Sequence, residues 1–283
     1  MRGAAYSDDL ITGHTALNRI RDAFSKLKEE GRTGIAGFLT VGFPEGDSTI
    51  PLLRAMAEGG VDFIELGVAF SDPLADGATI QRSSQVALEN GITLADCLEA
   101  CARFRVGFPN VPVLLMGYYN PVLSYGLERF AEDGAQAGLD GLIAVDLPSE
   151  EAGPLRSTCA ARGIDLIFLL APTSTDERIQ KVCDASSNLI YCVSLTGVTG
   201  ARREMDPALS GFLRRVRSRT SLPLVVGFGI SAREHVEAVG RYAESVVIGS
   251  ALINLIDSTP PSRRVERLRE YVEELAGHKA LKV

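Results

Sequence analysis

The chain has 283 residues, 46% hydrophobic and 23% charged, long enough to bury most of its apolar surface in a globular fold. Its formal net charge of −7 argues against nonspecific binding to nucleic acid or anionic membranes. A phosphorylated ligand stays open, because backbone amides bind phosphate without a basic surface.

In chain order, residues 1–14 read as a flexible arm, with no apolar run suited to a signal peptide. Segment 15–30 is an expected helix with Leu17, Ile20, Phe24 and Leu27 on one face, suited to plugging one end of a barrel. Short apolar runs then alternate with amphipathic segments of helical period. The runs are 35–41, 62–67, 113–117, 141–145, 166–170, 189–193, 224–227 and 245–248, each continuous, as expected for strands buried on both faces. The helices between and after them are 48–60, 93–105, 126–137, 149–162, 176–185, 207–219, 232–242 and 262–276, several ending at glycines that fit left-handed C-caps. Two extra helices, 79–89 and 250–256, follow the second and eighth runs. Eight strand–helix units in series imply a (β/α)8 TIM barrel occupying residues 15–283 as one domain. An open doubly wound sheet is the alternative, but the turn at 40–44 is not GxGxxG.

The five cysteines form no CxxC pair and the three histidines are scattered, so no metal site is expected, and reduced structural thiols point to the cytoplasm. No stretch reaches the roughly 20 apolar residues that cross a bilayer.

Barrel active sites lie at the C-terminal ends of the strands. There, Glu65 interrupts an apolar strand. Its carboxyl must enter a low-dielectric environment, which raises its pKa and suits it to general acid–base work; a buried structural ion pair is the alternative. Asp76, in the next loop, reads locally more readily as a helix N-cap than as a catalytic carboxylate, and Asp72 before Pro73 as a turn residue. Gly227, Phe228 and Gly229 close strand seven, and Gly249 and Ser250 precede the extra helix after strand eight. That is the barrel arrangement that binds phosphate on backbone amides and a helix N-terminus. The glycine-bounded loop 194–204 is suited to closing over a ligand, and Tyr191 reads either as a substrate contact or as a core tyrosine.

The run from Glu65 to Gly77 (ELGVAFSDPLADG), Tyr118 with Asn120 and Pro121, Asp146-Leu147-Pro148, the SLTGVTG of 194–200 and the GFGI of 227–230 occur in one order. Together they resemble the family of tryptophan synthase α subunits, over about residues 17–275. The resemblance implies cleavage of indole-3-glycerol phosphate to indole and glyceraldehyde 3-phosphate. Glu65 is then the acid/base and Asp76 the acceptor of the indole N–H. Phe38, Tyr191, Thr199, Gly200, Gly227, Phe228, Gly229, Gly249 and Ser250 become substrate-binding positions, with Gly200, Gly229, Gly249 and Ser250 on the phosphate. It also implies no cofactor in this chain, and a β subunit carrying pyridoxal phosphate in an α2β2 complex, with Asp72, Tyr118, Asn120 and Pro121 as candidate contacts. The chain departs from the family in having Ala69 and Ala78 where proline is usual, which relaxes the loop bearing Asp72 and Asp76. It also has Leu195 where some members carry arginine. The alternatives are a stand-alone lyase releasing free indole, a non-catalytic regulatory barrel subunit, and another phosphate-binding barrel isomerase or aldolase.

Overall fold

The computed structural model describes residues 18–193, 206–227 and 229–278. In chain order the elements are α1 (Arg19–Glu30), β1 (Gly34–Thr40), α2 (Thr49–Gly59), β2 (Phe63–Gly67), α3 (Ala78–Glu89), α4 (Leu94–Gly107), β3 (Val113–Gly117), α5 (Tyr119–Tyr125), α6 (Leu127–Ala137) and β4 (Gly141–Ala144). There follow α7 (Gly153–Ala160), β5 (Asp165–Ile167), β6 (Leu169–Leu170), α8 (Asp176–Ala185), β7 (Ile190–Val193), α9 (Pro207–Arg217), β8 (Leu224–Gly227), α10 (Arg233–Val239), β9 (Ser245–Ile248), α11 (Ser250–Ser258) and α12 (Arg264–Ala276).

All the strand pairs are parallel, in the order β5-β4-β3-β2-β1-β9-β8-β7-β6. The eight expected strands are all present. The fifth is broken at Phe168 into β5, which pairs with β4, and β6, which pairs with β7. The Phe168 carbonyl still accepts a hydrogen bond from Tyr191 N at 3.2 Å, so the chain itself closes the barrel across this break.

Helix α1 starts where the Asn18 side chain accepts from Arg21 N and stops at the left-handed Gly31, φ 64°. Its Ile20, Phe24 and Leu27 are buried against the N-terminal mouth of the barrel, and the Phe24 ring meets Phe63 of β2 at 4.8 Å between centroids. A Cβ on Gly34 would lie 2.5 Å from Leu27 Cδ1, so only glycine lets the helix seat this closely. Leu17 and the arm at 1–14 lie outside the described residues.

Two stretches differ from the periodicity reading. Residues read as loop form α5, because Pro121 sits in its first turn, where the missing N–H costs nothing. The expected helix 149–162 is only Gly153–Ala160, with Pro154 in its first turn. The five cysteines are buried and unpaired. Among the described residues, no helix is long and apolar enough to cross a membrane, and no cluster of three metal-binding side chains exists.

Beside α1, the buried Asp140 carboxylate ties the barrel floor together. Its Oδ1 accepts from Arg19 at 2.9 Å, and its Oδ2 accepts from Arg105 and from Val113 N, both at 2.8 Å. Removing one partner of such a group strands the others without solvent. Replacing Asp140 with alanine should therefore lower the unfolding free energy by about 3–5 kcal/mol, read from the urea midpoint.

Candidate active site

Strand parity decides which side chains see the barrel interior. In the β1–β2–β3 register Phe38, Glu65 and Leu114 are neighbours, and alternate residues from there upward face the C-terminal mouth. A cavity of about 810 Å³ opens there, lined by Phe38, Glu65, Met116, Val145, Leu169, Tyr191, Gly227 and Val247 from the strands, with Asp76, Ile80, Gly229, Gly249, Ser250 and Asn254 above them.

Glu65 is 1% exposed, and neither carboxylate oxygen has a hydrogen-bond partner. Among the described residues no cation pairs with it, and Arg178, which lines the same cavity, pairs with Glu150 instead, so the described residues give the structural ion-pair reading no support. Burial pushes its pKa up to about 8, and the nearby Tyr191 hydroxyl offsets only part of that. Tyr191 is itself buried in the barrel, its own pKa driven up by burial and by Glu65. A Cβ on Gly227 would collide with the Tyr191 hydroxyl, and one on Gly67 would lie 2.5 Å from Phe38 Cζ. These two glycines therefore serve the packing of the aromatic rings on the cavity wall.

Asp76 does not cap α3. The N-cap position is Gly77, and no side chain bonds the first turn. The carboxylate is thus left to the cavity, half-buried. Desolvation raises its pKa to about 6, and the adjacent Tyr118 hydroxyl pulls it partly back. Its loop is anchored despite Ala69 and Ala78. Ala75 N donates to the Tyr118 hydroxyl at 2.8 Å, Phe70 N to Ser84 Oγ at 2.9 Å, and Gln81 Nε2 to the Asp76 carbonyl at 2.9 Å, while the Phe70 and Tyr118 rings lie 5.0 Å apart.

On the far wall, α11 points its N-terminus into the cavity through Gly249, Ser250 and Ala251, and Gly229 turns beside it at φ 75°. The first-turn amides of a helix have no partner within the helix, and such amides attract anions. A Cβ at Gly249 would meet only the Phe38 side chain at 3.6 Å, an ordinary contact, so nothing in the protein itself requires glycine there.

The structure thus brings together Phe38, Glu65, Asp76, Tyr191, Gly227, Gly229, Gly249 and Ser250 around one cavity. Thr199, Gly200, Phe228 and Leu195 lie outside the described residues. Of the candidate contact positions, Asp72 and Asn120 are exposed and Pro121 is half-buried, while Tyr118 is buried and faces the loop of Asp76. Sequence reasoning missed Met116, Val145, Leu169, Ile80 and Asn254 in the lining. Strand parity was the available signal for the first three. The two helical residues had none.

A carboxyl whose folded pKa is raised binds its proton more tightly in the folded than in the unfolded state. Stability should therefore fall as pH rises from the unfolded carboxyl range through about 8. Urea denaturation of the wild-type chain from pH 5 to 9 should show a loss of a few kcal/mol that Glu65→Gln removes, at about 1.4 kcal/mol per pKa unit.

The comparisons with known proteins agree with this geometry. The family model described as tryptophan synthase alpha chain matches residues 24–281. A tryptophan synthase alpha chain from Roseiflexus sp. (strain RS-1) is 54% identical over 261 residues, covering 92% of this chain and 100% of that protein. The crystal structure of tryptophan synthase alpha chain from Legionella pneumophila subsp. pneumophila superposes with a TM-score of 0.84 at 32% identity, covering 93% of this chain and 97% of that one. A chain from the tryptophan synthase a2b2 complex of the hyperthermophile Pyrococcus furiosus does so with a TM-score of 0.81 at 38% identity, covering 87% and 98%. With a family match running nearly end to end and the barrel in common, this chain belongs to the tryptophan synthase alpha chain family.

Proposed function

We propose that the cavity cleaves indole-3-glycerol phosphate to indole and glyceraldehyde 3-phosphate, with Glu65 and Asp76 as its catalytic pair. The observation that carries this is a partnerless carboxyl on the strand wall facing a second, less perturbed carboxylate across an apolar cavity. Near pH 7 the two environments leave Glu65 largely protonated and Asp76 largely ionised, which assigns the acid and the acceptor.

The phosphate sits on the α11 N-terminus beside Gly229, Gly249 and Ser250; the family resemblance adds Gly200 to the phosphate positions and Thr199, Gly227 and Phe228 as further substrate-binding residues. The indole ring packs on Phe38 and the apolar strand residues. Its N–H donates to Asp76, which stabilises the positive charge that develops when C3 is protonated. Glu65 delivers that proton. As its carboxylate it then takes the proton from the glycerol hydroxyl while the C–C bond breaks, so the carboxyl is regenerated and an aldehyde leaves. Tyr191 holds the space between Glu65 and the glycerol. The chain needs no organic cofactor for this retro-aldol step. The enzyme is a lyase of tryptophan biosynthesis, and we place it in the cytoplasm.

The partner is a tryptophan synthase β subunit in an α2β2 complex, which consumes the indole; pyridoxal phosphate belongs to that subunit. The contact surface includes the exposed Asp72, Leu74, Asn120 and Leu123 at the same mouth, where Leu74 is 92% exposed.

Indole release by the purified chain, measured alone and with a β subunit, tests the reading. Slow release that rises sharply with β is expected. Fast release indifferent to β would mean a stand-alone lyase, and no release in either case would defeat the assignment. Glu65→Gln should abolish turnover, by more than about a thousandfold, while a titration still detects substrate binding.

The pH profile of kcat/KM should rise through about 6 as Asp76 ionises and fall through about 8 as Glu65 loses its proton. Removing the hydroxyl beside Asp76 with Tyr118→Phe should move the acid limb to higher pH and leave the alkaline limb in place. A profile without two limbs, or an acid limb unmoved, would contradict the pairing.

A further inference from the structure

At the end of the barrel opposite the active site, a cleft of about 880 Å³ opens between α1, α9 and the turns that lead into β8 and β9. Its walls carry six cationic side chains, Arg21, Lys28, Arg32, Arg214, Arg217 and Arg241, against one carboxylate, Glu244. In a chain of net charge −7 this is a local reversal of sign.

Only part of that charge is neutralised. Arg32 bonds Glu30 at 2.6 Å and Asp62 at 2.6 Å, and Arg217 bonds Glu244 at 2.5 Å. Arg21 reaches Asp22 only at 3.9 Å. Three cationic side chains around one concavity, Lys28, Arg214 and Arg241, thus remain without an ion pair among the described residues.

Two of the guanidinium groups are held in place rather than free. Arg214 donates to the Ser210 carbonyl at 3.3 Å and to Ser210 Oγ at 3.2 Å, and lies over the Tyr242 ring at 5.4 Å from its centroid. Arg217 donates to the Leu222 carbonyl at 2.8 Å. Guanidinium groups fixed in this way lose little entropy on meeting an oxyanion. Between them the cleft exposes apolar carbon of Leu222 and Pro223, over a floor of the buried Phe24, Leu27 and Leu213. Its volume falls in the range of sites for small organic ligands.

We propose that this cleft is a second binding site, for a small phosphate monoester whose apolar body rests on Leu222 and Pro223 while Lys28, Arg214 and Arg241 hold the phosphate. It stands apart from the cavity at the other mouth and does not depend on the reaction assigned there.

The test is a titration of the full chain, labelled with 15N, with phenyl phosphate at constant ionic strength, read by amide chemical shifts. Saturable shifts are expected in residues 24–33, 213–217 and 240–244, with a midpoint of about 1 mM or below. The double variant Lys28→Gln/Arg241→Gln changes two exposed side chains and should weaken these shifts about tenfold, leaving those near Gly229 and Ser250 unchanged. Shifts confined to Gly229 and Ser250, non-saturating shifts in the cleft, or binding unaffected by the double variant would each overturn the site. Inorganic phosphate binding as tightly as phenyl phosphate would overturn the role given to the apolar lining.

Discussion

The arrangement of the active site depends on one constraint: a carboxyl group buried inside a barrel with no cation among the described residues to pair with and only the Tyr191 hydroxyl beside it. Glu65 lies on β2 between β1 and β3, in register with Phe38 and Leu114, and strand parity forces its side chain inward. An ionised carboxylate there would carry a large desolvation cost, so the group keeps its proton to about pH 8. The rest of the cavity follows from accommodating it. Tyr191 packs beside it, Gly227 gives way to Tyr191, and Gly67 gives way to Phe38.

The second carboxylate is tuned by a different means. Asp76 sits in a loop, where water would ordinarily reach it and keep its pKa low. The Tyr118 hydroxyl, Ser84 and Gln81 hold that loop against the mouth, so that Asp76 is partly desolvated while still able to ionise near pH 6. Two alanines stand where the family usually has proline, yet three hydrogen bonds and an aromatic contact restrain the same segment. Restraint here comes from tertiary contacts more than from backbone stiffness.

The two ends of the barrel are built for different purposes. At the N-terminal end, α1 and the Arg19–Asp140–Arg105 cluster close the interior with packing and paired charge, although Arg105 Nε and Ser245 Oγ are left without a partner. At the C-terminal end the group left without a cation is a carboxyl, Glu65, and no side chain caps the first turn of α11. Unsatisfied polarity costs stability, and under the proposed mechanism the carboxyl in the cavity is where that cost has a use.

Much of this was legible in the sequence. Eight apolar runs alternating with helical segments specified the barrel, because parallel strands covered on both faces have few other arrangements. Glu65 was visible as a charge inside an apolar strand, and Gly249 and Ser250 at the start of α11 as part of the cavity wall. The sequence alone left open which way Glu65 points and whether an arginine waits for it, since side-chain direction and long-range partners depend on register. Local sequence favoured an N-cap for Asp76, and the structure puts Gly77 in the capping position instead. It also gave no sign that Tyr118, named for a subunit surface, turns inward to hold Asp76, or that scattered arginines on α1, α9 and the turn before β9 converge on one cleft. Local pattern determines elements because it is read by the backbone within a few residues. Convergence of distant side chains is decided only when the barrel closes and sets their distances.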